Sequence, residues 1–462
     1  MSSLNATMND MLWFDILWGF LYALGAGIIG WIYCVRALER DPFRKKFFLG
    51  GLFAKLISAL AYSLLFQLYY TNSGDSAIYH GASIEFRNYM LEHKLSVLDF
   101  FLLNENTIQA SHQDFLFRTM YYREYFINSS LMIHKWAFFF GNFSLFQYTA
   151  TGILFALFAF WGSWKMANAL TNYYPQYQRI IFVSFLLIPS FVFWSAGVSK
   201  EAICIGCLNF GAAAMLNLVR TRKKILFRLL LATIFFSVVW TIKSYIVLSF
   251  VPIFLFFLVF QIIQFIPQKA TRKNFRIGVI IGSIFIAVLV VLTAGNTISD
   301  KIKNDLISSA FYLVQGQKRA TVADDSSYDI GLTVEDMKES NVKPYILPSM
   351  NVALFRPYPW EVHKVMMVFS MVESFAFLLL VLWILIRSMI WRSLYLIFTD
   401  SLLVFSFTYS LFFAFFVGLA SANFGTLVRY KTPFISYFLI ALLILNLQLK
   451  KKEKSKEIIA SL

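Results

Sequence analysis

The residues whose types could do chemistry are isolated charges among long apolar runs. The segment FVFWSAGVSKEAICIGCLNFG (191–211) is almost wholly apolar, yet Lys200 and Glu201 stand side by side at its centre. Several Lys and Arg side chains that converge on a phosphate or diphosphate form charge-assisted hydrogen bonds, which are bidentate for Arg. The alternative is that each cation snorkels to lipid headgroups. The candidate phosphate-binding residues are Lys200, Lys243, Arg356, Arg429 and Lys431.

Asp75 is the principal candidate for a catalytic carboxylate. It follows Gly74 in the stretch YYTNSGDSAIYH, which is rich in hydrogen-bonding residues and lies where a long apolar run ends. A carboxylate close to the membrane can act as general base toward a hydroxyl, or hold a divalent cation against a diphosphate. The alternative is an aspartate that caps the following helix. Glu201 and Glu361 complete the set of candidate catalytic carboxylates, and a divalent cation is the candidate cofactor.

Other polar side chains accompany these candidates. Glu373 falls inside an apolar run, where an ionised carboxylate is costly unless it is paired. It is therefore either a site residue or a structural acid satisfied by a neighbouring span. The segment DDSSYD (324–329) resembles a cation site in composition, although flexible acidic loops are common. The remaining candidates are His80, Glu85, Arg87 and Trp360.

The composition places this chain in a membrane. Its 462 residues are 59% hydrophobic and only 14% charged, which is too little polar surface for a soluble domain. The net charge of +16 does not indicate a nucleic-acid partner, because the cations cluster between apolar runs as cytoplasmic loops do. None of the nucleotide-binding or hydrolase motifs of soluble enzymes occurs. Cys204 and Cys207 lie inside an apolar run, which favours small packing residues over a redox or metal pair.

The apolar segments predict an all-α polytopic bundle of about 11 transmembrane helices, the first of which is a retained span. Five basic clusters fall on one side of these spans, so we expect the N-terminus outside and the C-terminus in the cytoplasm. Residues 1–450 then form one transmembrane domain with extracytoplasmic loops 71–143 and 295–364, and 451–462 form a basic cytoplasmic tail. The predicted spans are 12–34, 48–70, 144–164, 180–196, 201–219, 226–242, 245–265, 276–294, 365–386, 398–420 and 430–448.

Breaks in the apolar pattern position the candidate residues. Segment 180–219 is too long for one span and suits two, so the turn at SAGVSKE is expected to expose Lys200 and Glu201 in an outward hairpin. The stretch TIKSY is expected to place Lys243 at the tip of another hairpin. Within the first long loop, LSVLDFFLL and SLMIHKWAFFFG predict short amphipathic helices at the interface.

This arrangement resembles the GT-C type of integral-membrane glycosyltransferases and the Wzy-like and EpsG-like polysaccharide polymerases. The resemblance covers the layout of the spans, the outward cations and a few positions: Gly74-Asp75, Lys200-Glu201, Arg356 to Glu361, and Arg429-x-Lys431. GT-C enzymes typically carry their acid after the first span, whereas Asp75 follows the second. The resemblance implies a multi-pass protein of a bacterial inner (cytoplasmic) membrane, in which membrane lipid, a polyprenyl-phosphate-linked sugar and a glycan acceptor are the partners.

The resemblance also implies a reaction, a displacement at an anomeric carbon on the extracytoplasmic face. Asp75 would deprotonate or orient the acceptor hydroxyl, while Lys200, Arg356 and Arg429 would neutralise the departing lipid phosphate. A transporter or flippase for a lipid-linked anionic substrate is the competing class, in which the polar groups lie on broken helices at the midplane. A non-catalytic membrane scaffold is the third class, and it predicts that no single outer charge matters.

Overall fold

The computed structural model describes residues 2–70, 74–94, 128–263, 343–421 and 423–460, together with positions 96, 328 and 330. Every helix or strand element in these ranges is helical. The chain divides into two compact units, Met1–Leu248 and Ser249–Leu462. The first unit contains α1 (Ser2–Ala37), α2 (Pro42–Leu64), α3 (Asp75–Glu92), α4 (Asn128–Ser144), α5 (Tyr148–Thr171), α6 (Gln178–Leu186), α7 (Pro189–Trp194), α8 (Lys200–Thr221) and the start of α9 (Ile225–Ile263).

The second unit contains the end of α9 and six further helices. Short 3₁₀ turns at Lys343–Tyr345 and Pro359–Glu361 flank the first of these helices. The six helices are α10 (Ile346–Phe355), α11 (Val365–Arg387), α12 (Ile390–Thr399), α13 (Ser401–Ala420), α14 (Phe424–Tyr430) and α15 (Thr432–Ala460).

The prediction of an all-α, multi-pass membrane protein is confirmed, and the exact number of spans is not. Within the described ranges, eight helical segments are long and apolar enough to cross a membrane. The predicted span 276–294 and most of the segment 324–329 lie outside the described residues. The eight segments are Leu12–Ala37, Pro42–Tyr69, Tyr148–Thr171, Lys200–Thr221, Ile225–Ile263, Met367–Arg387, Ser401–Ala420 and Thr432–Lys451.

The predicted fourth span, 180–196, is a broken pair of short helices instead. Helices α6 and α7 have nine and six residues, and Leu187 and Ile188 separate them. Pro189 causes the break, since it has no N–H to donate and forces the preceding residue out of the helical region. Ile188 accordingly has an extended backbone, with φ −67° and ψ 123°.

The predicted sixth and seventh spans form one element, α9. Its backbone leaves the helical region only at Lys243, where φ is −146° and ψ is 79°. The predicted break is therefore real, and it falls at the lysine itself. In the first predicted loop, α3 and α4 are regular helices, and α4 contains the stretch SLMIHKWAFFFG, whereas most of 95–103 lies outside the described residues.

Close contact between α5 and α8 builds the core of the first unit. A Cβ atom at Gly162 would lie 2.5 Å from the carbonyl oxygen of Gly206, so only glycine lets the two backbones approach this closely. Small residues at such contacts are the usual device of helix pairs in membranes. Cys204 and Cys207 are free and buried in α8, as expected for packing residues.

An aromatic cluster of α9, α13 and α15 forms the core of the second unit. The ring of Phe250 contacts those of Phe405, Tyr409 and Tyr437, with centroids 5.1–5.9 Å apart. Helix α10 packs against α13 at Gly418, where a Cβ atom would lie 1.9 Å from the carbonyl oxygen of Ser349. This contact fixes α10, and with it the segment that follows at 356–361.

Candidate functional site

Asp75 is placed by the junction between α2 and α3. Helix α2 ends in a π-helical turn, Leu65–Tyr69, and α3 begins at Asp75 with Gly74 as its N-cap. A Cβ atom at Gly74 would lie 2.9 Å from the ring of Phe66, so glycine permits this close junction. A carboxylate in the first turn of a helix is stabilised by the helix dipole. Asp75 is the first residue inside α3 and Gly74 is the N-cap, so Asp75 does not occupy the capping position, and its catalytic role stays a prediction.

Lys200 is the centre of a cluster of charges in the first unit. Its ammonium interacts electrostatically with the carboxylates of Asp75 and Glu201 and with the ammonium of Lys243. It also lies over the ring of Tyr79, 5.8 Å from the centroid. A cation over an aromatic face gains electrostatic stabilisation from the ring. Four residues predicted for the site, from three different helices, therefore lie within electrostatic range of one another around the Lys200 ammonium.

Glu201 and Lys243 form a buried ion pair within this charge cluster. The Lys243 Nζ lies 2.7 Å from the Glu201 Oε1, and the two side chains are 9% and 8% exposed. Lys243, one member of this pair, is also the residue at which the backbone of α9 leaves the helical region. Burying either charge alone would be costly, whereas the pair offsets much of that cost. Asp75 and Lys200 are half-buried, whereas Glu201 is buried.

The turn before Lys200 is buried among the helices of the first unit and not exposed as the sequence predicts, whereas its outward orientation stays a prediction. Ser195 and Ala196 are fully buried, and Ser199 accepts a hydrogen bond from the N–H of Ala202 at 3.2 Å as the N-cap of α8. A Cβ atom at Gly197 would overlap the ring of Tyr62 on α2. The sequence predicts an exposed turn because a hydropathy profile does not show which residues from distant parts of the chain pack against it.

The depth of the cluster follows from the pairing of α5 with α8. The Asn209 side chain donates to the Ser163 Oγ at 3.2 Å, and the Tyr173 hydroxyl donates to the carbonyl of Leu216 at 2.8 Å. The two helices therefore run parallel, with partners separated by 43 to 46 positions. At about 1.5 Å per residue, Lys200 lies roughly 10 Å along α5 from its first residue. The charge cluster therefore lies below the N-terminal end of α5.

Sequence reasoning missed Lys55, which holds this turn in place. Lys55 is buried near the middle of α2, and its Nζ donates to the carbonyl of Val192 at 3.0 Å and to the Ser195 Oγ at 2.5 Å. A cation at the C-terminal end of a helix, here α7, satisfies carbonyls that have no partner in the helix. A charge inside an apolar run was the available signal.

A second missed charge, Asp15, lies in a polar network between α1, α2 and α5. Its carboxylate accepts hydrogen bonds from Gln67 Nε2 at 2.6 Å and from the hydroxyl of Thr149 at 2.5 Å. The buried ring of His80 packs edge-on against Tyr148, and burial lowers the pKa of His80 to about 4. His80 is therefore neutral at physiological pH, which fits a structural role.

Glu85 and Arg87 lie further along α3. Glu85 is half-buried, while Arg87 is exposed with its guanidinium 5.1 Å from the centroid of the Phe146 ring. These contacts assign neither side chain to the charge cluster around Lys200.

Arg356 and Glu361 form a local clamp in the second unit. The Nε of Arg356 donates to both carboxylate oxygens of Glu361 at 2.8 and 3.0 Å, and its Nη2 also contacts Oε1. The guanidinium lies over the rings of Tyr328 and Phe424, 5.3 and 5.4 Å from their centroids. Trp360 is exposed and stacks on Tyr358. Both partners of the clamp come from the stretch FRPYPWE.

Lys431 joins this clamp to α11. Its buried Nζ donates to the carbonyl of Arg356 at 2.8 Å and to the Ser374 Oγ at 3.1 Å. Glu373, the deep carboxylate, interacts electrostatically with Lys431. Arg429 lies half-buried in the last turn of α14. The structure thus brings several predicted residues of the second unit together, and convergence of the two clusters on one cavity stays a prediction.

Among the described residues, no group of three or more His, Cys, Asp or Glu side chains is arranged to hold a metal ion. A divalent cation held between Asp75 and a bound diphosphate remains a hypothesis. Comparisons of this chain with protein families, with curated proteins and with solved structures gave no match.

Proposed function

We propose that this protein is an integral-membrane glycosyltransferase or polysaccharide polymerase that uses a polyprenyl-phosphate-linked sugar on the extracytoplasmic face. The observation that carries the proposal is the electrostatic interaction of Asp75 with Lys200 beside the buried pair of Glu201 and Lys243. A base and a phosphate-binding cation within one recessed cluster are the groups that transfer of a sugar from a lipid phosphate requires.

The proposed reaction assigns a separate task to each charge. Asp75 accepts the proton of the acceptor hydroxyl as its oxygen bonds to the anomeric carbon. The bond from that carbon to the lipid phosphate breaks, and the leaving phosphate carries the electron pair toward Lys200. Lys243 neutralises Glu201, so Lys200 and Asp75 are the charges left to act. Once Asp75 has taken up the proton, the positive charge of Lys200 is no longer offset and faces the leaving phosphate. Arg356, Arg429 and Lys431 belong to the second unit, and their part in phosphate binding stays a prediction of the sequence.

The test is transfer of a labelled sugar from polyprenyl phosphate or diphosphate by the purified protein in lipid nanodiscs. Asp75→Asn should lower the rate about 150-fold or more, because loss of a base costs about 3–5 kcal/mol of transition-state stabilisation. Glu92→Gln is the matched control, since Glu92 is an exposed carboxylate at the other end of α3. Normal transfer by Asp75→Asn, with wild-type folding, would refute the proposal.

A transporter or flippase for a lipid-linked anion is the second candidate. The observation that favours it is the broken helix pair α6–α7, whose second half ends on the buried amine of Lys55. Transporters use such half-helices to build sites at the midplane. If this class is right, Glu373→Gln abolishes translocation of a fluorescent lipid-linked anion in proteoliposomes, and Asp75→Asn leaves it nearly unchanged. The glycosyltransferase proposal expects the opposite result in the transfer assay: Asp75→Asn abolishes sugar transfer, and Glu373→Gln leaves it nearly unchanged.

A further inference from the structure

A buried carboxylate of the first unit has no counter-ion among the described residues. Asp15 is 8% exposed and lies in the segment Leu12–Ala37 of α1, which is apolar enough to cross a membrane. It forms no ion pair with a lysine or arginine of the described ranges. Its neighbour His80 is neutral at physiological pH, since burial lowers the pKa of that ring to about 4. Buried charges in proteins are normally paired or bind a metal ion, so a cation is the expected partner of Asp15.

The groups that contact Asp15 are neutral. The Thr149 hydroxyl donates to its Oδ2 at 2.5 Å, and the Gln67 Nε2 donates to the same oxygen at 2.6 Å. The Gln67 Nε2 also lies 3.5 Å from the Thr149 Oγ1, so the three side chains contact one another. Within the described part of the chain, the Asp15 Oδ1 accepts only the Thr149 N–H, at 3.2 Å, which it shares with Oδ2. Neutral donors lower the cost of the buried charge without cancelling it, and Oδ1 keeps accepting capacity.

Two acceptors beside this carboxylate have no hydrogen-bond partner among the described residues. They are the amide Oε1 of Gln67 and the ring Nε2 of His80, on side chains that are 9% and 8% exposed. The Oε1 shares its amide carbon with the nitrogen that contacts Asp15, and His80 interacts electrostatically with the same carboxylate. Since the His80 ring also bonds to the backbone of Phe146, its Nε2 is the acceptor of the neutral imidazole. The groups in need of a partner are thus acceptors around a negative charge, which a cation suits and an anion does not.

Glycine contacts hold α1 and α2 against α5 at this polar network. A Cβ atom at Gly19, one turn after Asp15, would lie 2.1 Å from the Cγ2 of Thr149. A Cβ atom at Gly152, one turn after Thr149, would lie 3.3 Å from a side-chain oxygen of α2, one turn before Gln67. The three side chains are therefore fixed together, each near the end of a segment that can cross a membrane. A hydrated cation can reach them over a short path from the surface of the bilayer.

The number of carboxylates favours a monovalent cation. Asp15 supplies one negative charge, and the other two side chains supply neutral oxygens, which are ligands that hard cations prefer. A single positive charge cancels that of the carboxylate, whereas a divalent ion would leave one uncompensated charge in a buried site. The terminal torsion of glutamine is roughly two-fold, so a half turn of the Gln67 amide exchanges Nε2 for Oε1 beside Asp15. Without a cation this turn brings two acceptors together, and with a cation between them it completes the set of ligands.

We propose that Asp15, Gln67 and Thr149 form a binding site for one alkali-metal cation, Na⁺ or K⁺. The Asp15 carboxylate, the Gln67 Oε1 and the Thr149 Oγ1 are the protein ligands, and water completes the coordination. The bound ion joins α1, α2 and α5, so it stabilises the folded first unit as its concentration rises. The proposal does not depend on the glycosyl-transfer reaction, since none of these ligands is among the charges assigned to that reaction.

The first test is thermal unfolding of the purified protein in mixed micelles that contain NaCl, KCl or choline chloride at equal ionic strength. The midpoint temperature of the wild type should rise by about 3–5 °C for each tenfold increase in Na⁺ or K⁺ above the dissociation constant. Choline is too large for the site and should give no rise. The ion that gives the larger rise is the one that the site prefers. Equal midpoints in all three salts, the result expected if Asp15 were protonated, would overturn the proposal.

Variants at the ligands separate cation binding from general stability. Asp15→Asn should abolish the salt-specific rise. Thr149→Val keeps the shape of the side chain and should raise the half-saturating cation concentration about tenfold. Asp41→Asn is the matched control and should keep the full rise, because Asp41 is a partly exposed carboxylate that accepts a hydrogen bond from the Arg44 N–H at 2.9 Å.

Equilibrium binding of radioactive sodium, or of radioactive rubidium as a substitute for potassium, measures the site directly. The wild type should bind one ion per chain, which unlabelled Na⁺ or K⁺ displaces and choline does not. No saturable binding of either ion, binding that survives Asp15→Asn with wild-type affinity, or a rise in midpoint temperature that requires Mg²⁺ or Ca²⁺ would each overturn the proposal.

Discussion

Breaking the buried ion pair between Glu201 and Lys243 should destabilise the first unit more than any exposed charge change. The perturbations are Glu201→Gln, Lys243→Met and the double variant. Both side chains are less than one-tenth exposed, with 2.7 Å between the charged atoms. Each single variant therefore leaves one desolvated charge without its nearest counter-ion.

Removing one partner of a buried pair typically costs about 3–5 kcal/mol. The surroundings make the two variants unequal, because Lys200 interacts with both members of the pair. In Lys243→Met, the Glu201 carboxylate keeps Lys200 as a partner, so the loss in free energy of unfolding should lie near the lower end of this range. In Glu201→Gln, two lysines repel each other and the loss should lie near the upper end. The double variant removes both charges and should cost about 1–2 kcal/mol less than Glu201→Gln.

The assay is reversible unfolding of the purified protein in mixed micelles, followed by circular dichroism at several detergent fractions. Glu92→Gln serves as the control and should lie within about 0.5 kcal/mol of wild type, as changes at exposed positions usually do. Additive losses in the double variant, or a smaller loss for Glu201→Gln than for Lys243→Met, would refute the assignment of a coupled, buried cluster centred on Lys200.

Three further outcomes are expected in the same unfolding assay. Gly162→Ala should cost about 1–3 kcal/mol through its clash with Gly206, whereas Gly50→Ala, which meets no heavy atom within 4 Å, should be neutral or stabilising. Equal effects of the two changes would contradict the close contact of α5 and α8. Lys55→Gln should cost about 1–3 kcal/mol, because the Ser195 turn loses a charged donor, and Lys55→Met should cost no less. The free energy of unfolding should fall by about 3 kcal/mol as the pH drops from 6.5 to 4, because the pKa of His80 is lower in the folded protein than in the unfolded chain, so the unfolded chain binds the proton first. His80→Gln should make the free energy of unfolding less dependent on pH over this range.

Most of the membrane architecture could be predicted from the sequence. Segments such as Tyr148–Thr171 and Ser401–Ala420 are recognisable because insertion in a membrane depends on the summed transfer free energy of about 20 consecutive residues. Segment 180–196 was expected to form one full span, whereas the structure divides it into two short helices at Pro189. Proline restricts its own residue and the one before it, yet whether a chain continues as one helix depends on contacts that can replace the lost hydrogen bond.

The candidate charges could also be found in the sequence, while their partners could not. Asp75, Lys200 and Lys243 are conspicuous because isolated charges are rare among apolar residues. Lys55 and Asp15 carry the same signal, since each is an isolated charge within a predicted span. The pair of Arg356 and Glu361 lies five residues apart, so its contact needs only a local turn.

The sequence by itself determined that this chain is a helical membrane protein with a small set of isolated charges. Tertiary structure alone decided that the turn before Lys200 is buried, that Glu201 meets a lysine 42 residues away, and that Lys55 caps α7. Hydropathy depends only on residues that are neighbours in the sequence, so apolar segments can be identified without the tertiary structure. The environment of a charge depends on which helices pack together, and close backbone contacts such as that of Gly162 with Gly206 select that packing.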